Sequence, residues 1–401
     1  MDQRLFPLKG VIQHYSWGGY EFIPHLLGTD NKEHKPFAEY WLGAHPNHPS
    51  FTADRRENLS DLIQADPPEW LGETVAHKFT GLPFLLKVLD VRQMLSIQVH
   101  PDKESAARGF AGENEKGIPV AAPHRNYKDT NHKPELMVAL SDFWLLHGFK
   151  KEEDLEKILQ AIPEFAFLLP VFRSKGYKGL YEEVMAMSQE KVNRILKPVV
   201  DRILPLYQNN ELKKDQEDFW AARAALNFCR DGNYDRGVFS VYFFNLVHLK
   251  KGEGIFQPQG MPHAYLEGQN VEVMANSDNV LRAGLTDKHI DVSELMKHVA
   301  FNATLPQVLG SSASAHQVFS SPAEEYELHR YCLLNAAQEL HTATAEIWLL
   351  LSGEAAVEAN GEKLVVKKGE SFFAKPQTHI TINSSAQAEL FRVRVPDVIK
   401  N

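Results

Sequence analysis

The sequence predicts a mainly β protein interrupted by a helical block, and three observations carry that prediction. Short apolar runs bounded by Gly, Pro, Asn and His fill both ends of the chain, whereas from about Lys151 to Arg230 the apolar residues recur at three-to-four spacing. The third observation is a repeat. Lys250-Lys-Gly-Glu-Gly-Ile-Phe-Gln-Pro-Gln-Gly-Met-Pro-His263 returns as Lys367-Lys-Gly-Glu-Ser-Phe-Phe-Ala-Lys-Pro-Gln-Thr-His379. A Lys-Gly-Glu turn can recur by coincidence; the same turn followed by an aromatic, a proline and a histidine in order points to two copies of one β unit. Many short strands with Gly/Pro turns suit a sandwich or jelly-roll barrel, and the chain has neither GxGxxG nor GxxxxGK[ST], the marks of nucleotide-binding α/β folds.

Along the chain, Leu82-Pro-Phe-Leu-Leu-Lys-Val-Leu89 and Leu95-Ser-Ile-Gln-Val-His100 come first, with the length and flanking breakers of strands. In the middle block Leu155, Ile158, Leu159 and Ile162, then Leu180, Val184 and Met187, then Val192, Ile195, Leu196 and Val199 mark helical faces. Ser188 is placed to start one helix, and Pro163, Pro170, Pro198 and Pro205 are expected to cut the block into short pieces. Strand texture resumes with Val238 to Leu249, and only Ser293 to Val299 reads as helix thereafter. The expected organisation is a catalytic unit formed by 1–150 with 231–300, a helical insertion at 151–230, and a second β unit at 301–401. Segment 305–335 matches no recognisable pattern.

Composition narrows the function. The chain has 401 residues with 43 Lys+Arg against 52 Asp+Glu, a net charge of −9, so it lacks the sustained basic field that nucleic acid or anionic membrane binding draws on. Any anion must therefore meet a local cationic pocket. Two cysteines, Cys229 and Cys332, exclude a disulfide framework and a thiolate zinc cage. Residues Met1 to Gly10 contain no apolar signal core, and no long apolar run occurs after them, so a cytoplasmic location is expected.

The chemistry-bearing residues gather beside strand ends. Period-2 alternation puts Gln98 and His100 on one face; Glu135 opens the apolar Leu136 to Leu140; His263 comes after the repeated Pro/Gly loop. Two imidazoles, a carboxylate and an amide oxygen suit zinc or another first-row divalent ion. Lys133, two residues before Glu135, and the pair Arg282 and Lys288 are candidates for an anion site, the alternative being a solvated loop face. Glu272 lies in the apolar Val271-Glu-Val-Met, where a charge is costly unless used or paired, and is the candidate base.

Several longer motifs extend these. Gln13-His-Tyr-Ser-Trp-Gly18, Ala38-Glu-Tyr-Trp-Leu-Gly-Ala-His-Pro46, Leu95-Ser-Ile-Gln-Val-His-Pro-Asp-Lys103, Tyr127-Lys-Asp-Thr-Asn-His-Lys-Pro-Glu135, Pro262-His-Ala-Tyr-Leu-Glu-Gly268 and Asn276-Ser-Asp-Asn-Val-Leu-Arg-Ala-Gly-Leu-Thr286 together resemble the type I phosphomannose isomerase family of the cupin superfamily. The resemblance implies tandem cupin-type barrels with a helical insertion, and conversion of mannose 6-phosphate to fructose 6-phosphate through a cis-enediol. It implies one Zn²⁺ per chain on Gln98, His100, Glu135 and His263, with Arg282 at the reacting carbons and Ser96 and Lys288 on the phosphate. Trp17, Lys87, Lys133, Tyr265, Glu272 and Asp278 match further pocket positions. The C-terminal unit departs from the metal-binding pattern: two residues beyond His341 stands Ala343 rather than a second histidine, so no metal is expected there.

Three other functions share this scaffold. A cupin oxygenase would want a third imidazole where Gln98 stands. A non-catalytic sugar-binding protein needs no turnover, and an isomerase for another aldose or aldose phosphate would use the same residues.

Overall fold

The computed structural model describes residues 3–396 and is mainly β with helices. One antiparallel sheet runs in the order Gly254–Gln257, Glu135–Ala139, His263–Ala275, Phe84–Val91, Glu39–Gly43, Val11–Gln13. His263–Ala275 is its hub. Its later half lies between Phe84–Val91 and Glu135–Ala139, and its first residues pair with Phe143–Phe149 and Ile97–Val99, with a bulge between Tyr265 and Glu267. Alternation then sorts the side chains. Leu86, Val88, Leu136, Val138, Val271 and Val273 face a shared core with Ile347, Leu349, Phe391 and Val393 of a second sheet, while Lys87, Glu135 and Glu272 occupy the opposite face. Every residue of Phe84–Val91 is buried, which explains its near-continuous apolar sequence.

The second sheet centres on Thr378–Arg394, flanked by Glu327–Thr342 and Glu346–Ser352. The first strand of the chain, Leu5–Lys9, pairs with Ser371–Ala374 there, so the start of the chain is built into the C-terminal sheet.

The repeat seen in the sequence is a repeat in space. In each copy the glutamate side chain accepts from the first lysine's backbone N–H, Glu253 on Lys250 at 2.7 Å and Glu370 on Lys367 at 2.8 Å, across a glycine with φ of 88° at Gly252 and 82° at Gly369. Each turn leads into a strand, Gly254–Gln257 and Ser371–Ala374.

The middle block folds as helices Glu152–Ala161, Leu168–Met185, Gln189–Gln208 and Glu217–Phe228, and the Ser188 hydroxyl caps the third by accepting from Lys191 N–H at 3.3 Å. Two local expectations are corrected. Pro198 and Pro205 do not end a helix but lie inside Gln189–Gln208. Burial of Val192, Leu196, Val199, Val200 and Ile203, at about 1.5–3 kcal/mol per aliphatic side chain, outweighs a cost of about 3 kcal/mol per proline. The break falls at Gly176 instead, whose φ of 62° interrupts Leu168–Met185. The run from Val238 is likewise not one strand: Gly237–Phe243 is helical, with all seven residues buried, and only Phe244–Leu249 is extended. Packing on every side overrides the β preference of Val, Phe and Tyr. The helices Leu59–Ala65, Pro67–Leu71 and Lys103–Glu115 rest on caps by Asn58, Asp66 and Asp102 more than on long apolar periodicity. No helix among the described residues is long and apolar enough to cross a membrane.

Inside the C-terminal sheet, the buried Glu346 carboxylate accepts from two Arg392 guanidinium nitrogens and, at 2.9 Å, from the Trp348 indole. Its lone pairs are thus engaged by an arginine, and His341 and His379 are cross-strand neighbours elsewhere on the sheet. Arg392→Ala is expected to lower unfolding free energy by about 3–5 kcal/mol, because it strands a buried carboxylate; denaturant titration measures it.

Candidate functional site

His100, Glu135 and His263 converge with their ligand atoms within 4.8 Å of one another. Strand pairing helps bring them together: His263 opposes Gln98, and Glu135 opposes Gln257, six residues before His263. His263 Nε2 is 3.2 Å from Glu135 Oε2, and His100 Nε2 is 3.5 Å from Oε1. The other ring nitrogens are tied to backbone carbonyls, His100 Nδ1 to Asn279 at 2.8 Å and His263 Nδ1 to Met261 at 2.9 Å. Those bonds fix the proton on Nδ1 and turn the Nε2 lone pairs inward. Burial pushes His100 down to about 4, so the ring is neutral, and its Nε2 is buried without a hydrogen-bond partner among the described residues. Glu135, although buried, is held well below the usual carboxylate range chiefly by Lys133, whose Nζ is 3.0 Å away. A neutral orphaned imidazole, a second imidazole and an ionised carboxylate form a donor set that fits zinc, and Gln98 supplies an amide beside them.

Behind this group lies a second charged cluster. Glu272 accepts from the Tyr265 hydroxyl at 2.7 Å and faces Lys87 Nζ at 3.4 Å, and Lys87 also lies 3.7 Å from Glu39. Burial alone would lower Lys87, but Glu39 and Glu272 hold it above the ordinary lysine value. Burial and the nearby Glu135 raise Glu272 despite Lys87. Burial and Glu272 also raise Tyr265, which stays protonated as a donor. Lys87 sits 5.0 Å from the Trp41 ring centre, and the Trp41 indole donates to Glu39. This Glu39, Trp41 and Lys87 arrangement reproduces Glu346, Trp348 and Arg392, with Trp41 opposite Lys87 as Trp348 is opposite Arg392. In the C-terminal copy the cation closes on one carboxylate; in this copy it is shared between two.

Two adjoining cavities organise the candidates. The outer one, about 460 Å³, is lined by Trp17, Ser96, Asp278, Arg282 and Lys288 among others. The inner one, about 50 Å³, is lined by Glu135, His263, Tyr265 and Glu272. Lys87, Gln98 and Lys133 border both, so the candidates other than the fully buried His100 line one continuous site. Arg282 and Lys288 have no ion-pair partner among the described residues, and burial together with Arg282 lowers Lys288. Asp278 is held low by its bond to His45, at 3.2 Å, against the effect of burial.

Residues 5–152 match the family model described as phosphomannose isomerase type I, catalytic domain. The mannose-6-phosphate isomerase of Salmonella typhimurium is 36% identical over 399 residues, covering 96% of this chain and 98% of the relative, and that of Escherichia coli is 36% identical over 391, covering 94% and 96%. The chain belongs to the mannose-6-phosphate isomerase family. A crystal structure of the Salmonella typhimurium isomerase, described as bound to substrate (f6p) and a zinc atom, superposes with a TM-score of 0.86 at 33% identity, covering 98% of this chain and all of that one.

Within this isomerase-family site, several residues escaped sequence reasoning. Glu39 and Trp41 lie in one of the longer motifs, but their link to Lys87 depends on strand register. Asn279 is the keystone of a loop cluster: its carbonyl orients His100, its amide donates to the Asp129 and Asn131 carbonyls at 2.9 and 2.8 Å, and its Oδ1 accepts from Lys128 N–H at 2.7 Å. From the helical block, Asn227 and Arg230 reach the outer cavity wall. Only their position at the end of that block could have drawn notice.

Proposed function

We propose that this chain is a zinc-dependent aldose–ketose isomerase interconverting D-mannose 6-phosphate and D-fructose 6-phosphate through a cis-enediol, acting in the cytoplasm. The observation that carries the reading is the buried His100, Glu135 and His263 group beside adjoining cavities, the outer of which holds Arg282 and Lys288, cations without an ion-pair partner among the described residues. We further read the two sheets as tandem cupin-type units, 1–150 with 231–300 and 301–401, around the helical insertion 151–230. The duplicated turn and the duplicated Glu-x-Trp with its facing cation support that reading.

In this proposal His100, Glu135, His263 and Gln98 hold one zinc, which supplies polarisation of the sugar oxygens at C1 and C2. Lys288 and Ser96 take the phosphate, whose charge of about −1.5 to −2 needs local cations in a protein of net charge −9. Trp17 walls the cavity, and Asp278 offers a carboxylate to sugar hydroxyls. Glu272, raised by burial, carries the proton between C2 and C1, with Tyr265 and Lys87 fixing its two oxygens. Lys133 and Arg282 stabilise the negative charge that develops on the enediol oxygens.

A coupled assay of mannose 6-phosphate turnover, with chelator and with zinc restored, tests substrate, reaction and metal together. Activity lost to chelator and recovered with zinc is the expected result; no turnover, or turnover untouched by chelator, overturns it. Lys288→Ala is expected to raise KM for mannose 6-phosphate about 10- to 100-fold, as a charge-assisted hydrogen bond contributes about 1.5–3 kcal/mol. Turnover of free mannose should be unaffected, and an equal change for both sugars refutes the phosphate role.

A further inference from the structure

The C-terminal sheet sends one charged side chain toward the metal-ligand strand of the other sheet. Glu325, two residues before Glu327–Thr342, is 3% exposed and accepts from His132 Nε2 at 2.6 Å. Its second oxygen is buried without a hydrogen-bond partner among the described residues, as is the hydroxyl of the next residue, Tyr326. A buried carboxylate spent on one histidine demands a reason.

The reason lies in the segment around His132. Residues 131–134 have no regular structure, yet they lead directly into Glu135. Their entry is fixed where Asn279 and Ser277 donate to the Asn131 carbonyl, and their exit where the Pro134 carbonyl accepts from Ala275 at 3.1 Å. Between these anchors stand His132 and Lys133, held through their side chains, Lys133 on Glu135 and His132 on Glu325. The two side chains are consecutive, so fixing one limits the backbone rotation available to the other.

We propose that Glu325 is a positioning residue: through His132 it fixes the His132-Lys133 step and so the placement of Lys133 against Glu135 and the site. This gives the C-terminal sheet a part in an activity whose metal and pocket residues all lie elsewhere, and it rests on the isomerase reading for its kinetic consequence.

Glu325→Ala, Glu325→Gln and His132→Phe are compared with the wild type by hydrogen exchange of a peptide spanning 129–136, by zinc retention against chelator, and by kcat and KM per zinc-loaded molecule. His132 is partly exposed, so its replacement keeps the fold testable if Glu325→Ala does not accumulate. Expected are about tenfold faster exchange confined to that peptide, zinc affinity and kcat each lower by about tenfold, the low end for lost outer-shell partners, and KM within about twofold. Glu325→Gln, whose amide oxygen still accepts from His132, should recover most of the loss. Unchanged local exchange in Glu325→Ala and His132→Phe, or a fall in thermal stability with kcat per loaded molecule unchanged, overturns the proposal. An inactive wild type would defeat the isomerase reading, and local exchange and zinc retention would still decide this one.

Discussion

Glu135→Ala is expected to weaken zinc binding and to lower isomerase kcat/KM, each by about a thousandfold. A bound divalent ion contributes several kcal/mol to transition-state stabilisation, and each 1.36 kcal/mol is a factor of ten, so losing about 4 kcal/mol of that contribution gives about three decades. Two features push the effect upward. Glu135 is the only carboxylate in the His100, Glu135 and His263 group, and its removal leaves the Lys133 ammonium, now 3.0 Å from Glu135, buried and unpaired beside the metal position. The remaining set would be two imidazoles with a neighbouring cation. Chelator competition and thermal unfolding measure the binding directly. Wild-type stability should rise on zinc addition, by about 4 kcal/mol at a thousand times Kd, whereas the variant should show little rise at the same concentration. Wild-type zinc affinity in the variant would remove Glu135 from the ligand set.

The site was legible where its residues obey strand arithmetic. Gln98 and His100 are two apart, Glu135 opens an apolar run and His263 comes after a repeated turn, so each could be picked out by spacing, and all lie together in the fold. The illegible part depends on which strand lies beside which. Nothing local in Ala38-Glu-Tyr-Trp tells that Glu39 shares Lys87 with Glu272; the pairing of Glu39–Gly43 with Phe84–Val91 does. Glu325 is invisible for the same reason, since 193 residues separate it from His132. Secondary structure failed where burial outvoted preference. Val238 to Phe243 has the composition of a strand and folds as part of a helix, and Pro198 and Pro205 stand in a helix whose buried face compensates them. Nothing local in Leu5–Lys9 tells that it pairs with Ser371–Ala374 on one side and with Phe51–Thr52 on the other.

Lys87→Met is expected to be the most damaging single change that leaves the metal ligands untouched. The methionine fills nearly the same volume, so the effect isolates the charge. Lys87 is buried between Glu39 at 3.7 Å and Glu272 at 3.4 Å, and removing the shared cation leaves two carboxylates facing each other out of water. Breaking a buried pair in this way costs about 3–5 kcal/mol. The protein answers by protonating Glu272, already raised by burial and Glu135, because Lys87 was the main charge pulling it down. The pH dependence then has a definite sign. A carboxyl whose folded pKa is raised stabilises the fold at pH below its unfolded value and loses that contribution as pH rises through the folded one. The deficit of Lys87→Met relative to wild type should therefore be greatest at neutral pH and shrink as pH falls toward the ordinary glutamate range. Activity should be lost across the same interval, since a protonated Glu272 cannot accept the C2 proton. Adding Glu272→Gln removes one of the stranded charges, so the double variant should regain stability relative to Lys87→Met, with a coupling of about 1–3 kcal/mol between the two sites, while remaining inactive. Denaturant unfolding of the four proteins at several pH values measures each of these. A Lys87→Met deficit independent of pH, or strict additivity with Glu272→Gln, would mean that Lys87 fills space rather than holding the carboxylate.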